Sequence, residues 1–214
     1  MTITQEEIDE YQKKSKSQVN QDMVVLAHLG FKRNGYFVEF GATNGVELSN
    51  TYMLEKEFGW TGIVAEPAKI WHEELAANRS CNICFDCVWT SSNQMVDFNQ
   101  AGAAELSTID SFTGADLHAG YRANGERYKV NTISLNDLLK KYNAPQEIDY
   151  LSIDTEGSEF DILSAFDFDA YKIKVITCEH NYTPMRDKIF DLLTSKGYKR
   201  IYEESSGFDD WYVL

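Results

Sequence analysis

The chain has 214 residues, and 20 basic against 34 acidic side chains give a net charge of −14. That length suits one domain burying roughly 70% of its unfolded surface, and 43% hydrophobic residues exclude a disordered chain. The acidic balance argues against nucleic acid and anionic membrane surfaces as partners, and the mean hydropathy of −0.41 fits a soluble protein.

Glu6, Glu7, Asp9 and Glu10 stand where a signal peptide needs a basic start, and no apolar run reaches the roughly 20 residues of a membrane span. The expected location is cytoplasmic. Residues 4 to 16 read as a polar helix, and residues 20 to 30 as a second, with Val24, Val25, Leu26 and Leu29 near one face. Residues 1–30 are therefore expected to form a helical segment ahead of a single domain spanning 31–214.

From Tyr36 the pattern alternates. Strands are expected over 36–40, 62–66, 83–88, 150–154 and 174–179. Helices are expected after the turn at Gly41 through about Phe58, and over 69–78, 158–165 and 185–196. Such alternation predicts an α/β fold with a mostly parallel central sheet and helices on both faces. Segments 95–98, 106–109 and 128–133 predict a β-rich insertion between strands three and four, and residues 110–127 read as a long mobile loop, a candidate lid. Segments 199–202 and 211–214 close the chain as an antiparallel pair.

Cys81, Cys84 and Cys87 form a C-x-x-C-x-x-C run. Along a strand, Cys81 and Cys87 face one way and Cys84 the other, so the three do not converge on an ion and read as small buried hydrophobes.

Open parallel sheets bind ligands beyond the carboxyl ends of their strands, next to the first strand–helix turn. Here that turn is Phe40-Gly41-Ala42-Thr43-Asn44-Gly45, and Glu66 ends the next strand, where a carboxylate meets a ribose diol. The turn lacks the middle glycine of a dinucleotide fingerprint, and Glu39 would repel a pyrophosphate. S-adenosylmethionine carries an ammonium and a sulfonium and no phosphate, so it suits a carboxylate-bearing turn better.

The sequence resembles the FkbM-type methyltransferases. The resemblance runs from about Ser17 to the C-terminus and rests on an ordered set of segments: residues 17–22 (SQVNQD), 34–42 (NGYFVEFGA), 49–51 (SNT), 59–62 (GWTG), 65–67 (AEP) and 153–159 (IDTEGSE). It implies a Rossmann-like methyltransferase fold. In that fold Glu39 and the turn of Gly41, Ala42, Thr43, Asn44 and Gly45 contact the methionine part, Glu66 the ribose and Asp86 the adenine. Gln18 and Asp22 resemble the family's N-terminal element, which folds over the cofactor. O-methylation is likewise implied by the resemblance alone.

Strand four ends in Asp154-Thr155-Glu156 and strand five in Glu179-His180-Asn181, side by side on the rim of the glycine turn. Asp154, Glu156 and His180 are candidate catalytic residues, as general bases or as carboxylates steadying a sulfonium. Alternatively Asp154, Glu156, His180 and Asn181 hold a divalent cation, Mg²⁺ or Mn²⁺. Asp154 and Glu156 also suit the start of the following helix. His118, in the expected loop, is a weaker candidate for substrate contact, as are the aromatics Phe112, Tyr121 and Tyr182.

The expected activity is S-adenosylmethionine-dependent methylation of a hydroxyl on a small molecule or sugar. The alternatives are a nicotinamide-dependent oxidoreductase and a cofactor- or glycan-binding module without catalysis. The sequence leaves open whether copies associate as a homo-oligomer.

Overall fold

The computed structural model describes residues 3–214. The chain begins with α1 (Gln5–Lys14), started by a capping box in which Thr4 and Glu7 satisfy each other's backbone N–H groups. Then come α2 (Gln21–His28), β1 (Tyr36–Phe40), α3 (Tyr52–Phe58), β2 (Thr61–Ala65), α4 (His72–Asn78) and β3 (Asn82–Cys84). An insertion follows, made of β4 (Cys87–Trp89), β5 (Met95–Gln100), β6 (Thr108–Ile109), α5 (Ala119–Arg122) and β7 (Glu126–Ser134). The chain returns through α6 (Leu135–Lys141), β8 (Glu147–Ile153), α7 (Glu159–Ser164), β9 (Lys172–Glu179), α8 (Met185–Ser195), β10 (Lys199–Ile201) and β11 (Asp209–Val213).

The main sheet has the order β10-β11-β9-β8-β1-β2-β3. The β3-β2-β1-β8-β9 run is parallel, and β11 and β10 add the expected antiparallel closing pair. From β1 the chain steps outward to β2 and β3, then comes back to the other side of β1 as β8. The two directions part between β1 and β8, and that crevice is where such sheets take a ligand.

Side-chain alternation sorts the core into two layers. Val38, Phe40, Ile63 and Ala65 face α6, α7 and α8 through Leu138, Leu139, Ile162, Leu163, Ile189 and Leu193. Phe37, Val64 and Tyr150 face α2, α3 and α4 through Val25, Leu26, Met53, Leu54 and Leu75. Each fully buried aliphatic or aromatic side chain contributes on the order of 1.5–3 kcal/mol over its exposed state.

The structure departs from the sequence expectations at four places. The single strand expected over 83–88 is two. β3 pairs with β2, whereas β4 pairs with β7 in a second sheet of order β4-β7-β5-β6, and the chain bends between them at Phe85-Asp86. The cysteines consequently enter three different cores, Cys84 with α6 and α8, Cys81 at the edge of the α2–α4 layer and Cys87 in a small third cluster with Phe98 and Ile109. Cys81 and Cys87 therefore do not share the face expected of them, and all four cysteines are free thiols.

Second, α6 was not expected. Ser134 caps it by accepting the Asp137 N–H, and Leu135, Leu138 and Leu139 bury one stripe. Third, the segment after the glycine turn does not become helical until Tyr52. Fourth, residues 110–127 are an ordered segment wrapped around Arg122, which is fully buried and bonds Asp116, Glu156 and the carbonyl of Leu106.

Candidate active site

The cleft opens at the carboxyl ends of β1, β8 and β9, with the insertion as its outer wall. Its floor is the turn after β1. Gly41 sits at φ +75°, and a Cβ there would lie 2.0 Å from the carbonyl oxygen of Asp154, so only glycine lets the β1 turn touch the end of β8. Gly41 and Thr43 reach the cleft wall. Ala42 does not, being buried with Phe37 and Leu54. Asn44 turns its side chain back to accept the N–H groups of Val46 and Glu47, and Gly45 makes room for Arg79 and Leu75. The expectation that all five turn residues contact the ligand therefore narrows to Gly41 and Thr43.

Glu39 lines the cleft, yet its carboxylate serves the protein first. It accepts bonds from Ser49 Oγ, the Asn50 N–H at 2.6 Å and Thr51 Oγ1 at 2.6 Å. Arg79, itself buried, pairs with it at 3.4 Å and donates to Thr51 Oγ1 at 2.8 Å. Its charge is largely answered from behind, so Glu39 does not by itself select a cationic ligand. Its work is to pin residues 49–51. Asn50, in consequence, faces the cleft, its Nδ2 donating to Ser152 Oγ at 2.9 Å and its Oδ1 buried without a hydrogen-bond partner.

Glu66 ends β2 as expected. It accepts the N–H of Thr43 at 2.9 Å and of Ala68 at 2.7 Å, and burial pushes its carboxyl up to about 7 against these bonds. Beside it lies a narrow apolar slot walled by Cys87, Val88, Phe98, Ala104 and Ile109. Asp86 is not in it. At the bend between β3 and β4, its carboxylate turns away to Lys141 at 3.4 Å and Asn131 at 3.1 Å, which corrects the adenine assignment.

Opposite the turn, Asp154, Glu156 and Glu179 converge, one carboxylate oxygen of each lying within 4.8 Å of the others. All three carboxyls are raised above their ordinary range, first by burial and then by neighbouring acids, with Arg122 opposing the shift at Glu156. Asn181 Nδ2 donates to Glu156 at 3.2 Å. Glu159 lies behind, holding the loop by accepting the N–H groups of Thr155 and Gly157.

His180 points elsewhere. Its Nδ1 accepts the Tyr182 N–H at 3.0 Å, and its Nε2 lies 3.8 Å from Asp210 behind the strand ends. Burial lowers its basicity. Glu179 and Asn181 line the cleft and His180 does not, so it is neither the base nor a ligand there.

Among the described residues of 1–30, Gln18 alone lines the cleft. Asp22 is buried beneath it, accepting Ser15 Oγ and Ser17 Oγ at 2.7 Å each, and holds the 15–20 turn instead of touching the cleft. α1 packs through Tyr11 on Phe58, at the opposite end of the sheet, so the expected cover over the site reduces to the turn carrying Gln18. His118 lines the cleft, whereas Tyr121 and Tyr182 are exposed and Phe112 packs against Trp89.

Sequence reasoning did not single out Arg79 or Arg122, since nothing in a sequence distinguishes a buried arginine from a surface one before its acids are placed.

No curated protein sequence matches the chain significantly. Among solved structures, a precorrin-6y C5,15-methyltransferase from Geobacter metallireducens GS-15 is similar at 11% identity and a TM-score of 0.46, over 94% of this chain and 93% of that one. A human methyltransferase 10 domain containing protein is similar at 9% identity and a TM-score of 0.41, over 91% and 79%. Neither likeness is close enough to bear on function. The family model described as the methyltransferase FkbM domain matches residues 39–200, from Glu39 into β10. With most of its length matched, and the strand-end carboxylates from Glu39 to Glu179 inside the match, the chain belongs to the FkbM methyltransferase family and is an S-adenosylmethionine-dependent methyltransferase.

Proposed function

We propose that this enzyme transfers a methyl group from S-adenosylmethionine to a hydroxyl of a small molecule or sugar. The observation that carries the reading is the donor set of the cleft. It presents Asp154, Glu156 and Glu179 together with an unpartnered amide oxygen on Asn50, an arrangement suited to a cationic ligand. Nicotinamide chemistry is disfavoured because the turn at 41–45 lacks the middle glycine of a dinucleotide fingerprint.

The residues fit the cofactor part by part. Each Glu66 oxygen retains a lone pair for a ribose hydroxyl beyond its backbone bonds. The slot beside it, walled by Cys87, Val88, Phe98 and Ile109, suits a flat apolar ring. Gln18 would close over the methionine part. When bound, S-adenosylmethionine supplies a methyl group on a good sulfonium leaving group.

The protein's task is then orientation, which contributes several kcal/mol when the attacking oxygen is held in line. Asp154, the least buried of the three acids, would accept the hydroxyl proton. The insertion, anchored by Arg122, would keep water from the site. The acidic surface disfavours nucleic acid and phosphorylated acceptors. Among the described residues no helix is long and apolar enough to cross a membrane, and a cytoplasmic setting is part of this proposal.

Asp154→Asn should bind S-adenosylhomocysteine within about threefold of wild type while losing at least 100-fold in turnover of a hydroxyl acceptor. Retained turnover would remove Asp154 as the base. An adenosyl ligand bound tightly with no acceptor methylated in a broad hydroxyl panel would favour a binding module.

A further inference from the structure

We infer that Asp154, Glu156 and Glu179 form a binding site for one hard divalent cation, Mg²⁺ or Mn²⁺, on the acceptor side of the cleft. The distances suit an ion. Ligand atoms around a centre at about 2.1–2.4 Å lie at most about 4.2–4.8 Å apart, and the three carboxylate oxygens all lie within 4.8 Å of one another. Their spacing is built into the sheet. Asp154 and Glu179 follow directly on Ile153 and Cys178, which face each other across the parallel β8–β9 ladder. Glu156 is held in place by Arg122 and by Asn181.

Charge points the same way. Arg122 answers one of the three carboxylates, and among the described residues neither Asp154 nor Glu179 has a cationic partner within salt-bridge distance. A buried group of acids in that state requires protons or a cation.

A second, independent observation is Asn50. Its side chain is 93% buried, since 7% is exposed, and its Oδ1 has no hydrogen-bond partner although it belongs to the same cleft wall as the three acids. The amide turns its Nδ2 to Ser152 Oγ and leaves its oxygen on that wall. Carboxylates with a neutral amide oxygen nearby are the ligand chemistry of Mg²⁺, Mn²⁺ and Ca²⁺, not of thiolate- or imidazole-seeking metals. His180 has no part in the site and the cysteines lie in other cores. The ion's role rests on the proposed function: it would hold the acceptor hydroxyl and lower its pKa next to Asp154. Its existence does not depend on that role.

The test is Mn²⁺ alone, titrated into the full chain without any nucleoside ligand and followed by calorimetry and by the loss of free-ion paramagnetic resonance. One saturable Mn²⁺ per chain, displaced by Mg²⁺, is expected. Glu179→Gln should weaken it at least tenfold, as should Glu156→Gln, whereas Asp86→Asn should leave it unchanged. Circular dichroism establishes that each variant is folded, and if one is not, the other decides. No saturable binding at millimolar Mn²⁺, or binding that the folded glutamine variant leaves intact, would overturn the site and leave the acids holding protons. S-adenosylhomocysteine binding measured without metal reports on the methyl-transfer reading separately.

Discussion

Glu66 illustrates how a single buried carboxyl can report on its own site. Its pKa lies above that of an unfolded glutamate, 4.5 rising to about 7, because burial outweighs two backbone bonds. The folded chain therefore holds that proton more tightly than the unfolded chain does, and the associated stability is present below about pH 4.5 and lost as pH rises through 7. The loss is on the order of 3 kcal/mol. Urea denaturation of the ligand-free protein at pH 5 and pH 8 should show wild type declining more than Glu66→Gln by roughly that amount, and parallel declines would refute the shift. At Gly41 the constraint is steric. Gly41→Ala combines a positive φ with a backbone clash against Asp154 and should cost on the order of 2–4 kcal/mol, read from the same denaturation curves.

At the scale of elements, the insertion is tied to the catalytic rim by Arg122. That guanidinium binds Asp116 on the ordered segment and Glu156 on the turn after β8, with no solvent exposure. Arg122→Met would leave both acids buried and unpaired, at a cost of about 3–5 kcal/mol. It should also hasten proteolytic cleavage within 113–125, and unchanged cleavage would mean the segment is held by other contacts. This segment reads as mobile from its Gly, Asp and Asn content because its order comes from a charge pair between residues far apart in sequence. The strand–helix alternation from β1 onward was legible, since apolar runs bounded by glycine report directly on a buried parallel sheet. The split of 83–88 was not, because each half satisfies its backbone in a different sheet. The same long-range logic hid the separation of Glu179 and Asn181 from His180. The types of residue at that strand end were evident from sequence, but which of them faced the cleft depended on where β9 stopped.

Across the whole molecule, the return of the chain to β8 beside β1 brings five carboxylates, Glu39, Glu66, Asp154, Glu156 and Glu179, to one end of the sheet. Two buried arginines answer part of that charge, Arg79 behind Glu39 and Arg122 behind Glu156. What remains unanswered faces the cleft, and it defines the ligand's charge. The measurement that tests this most directly is calorimetric titration of S-adenosylhomocysteine and NAD into wild type and Glu66→Ala. The account predicts one bound S-adenosylhomocysteine per wild-type chain, at least tenfold weaker binding to the folded variant, and no binding of NAD. NAD binding in its place, or adenosyl binding indifferent to Glu66, would contradict it.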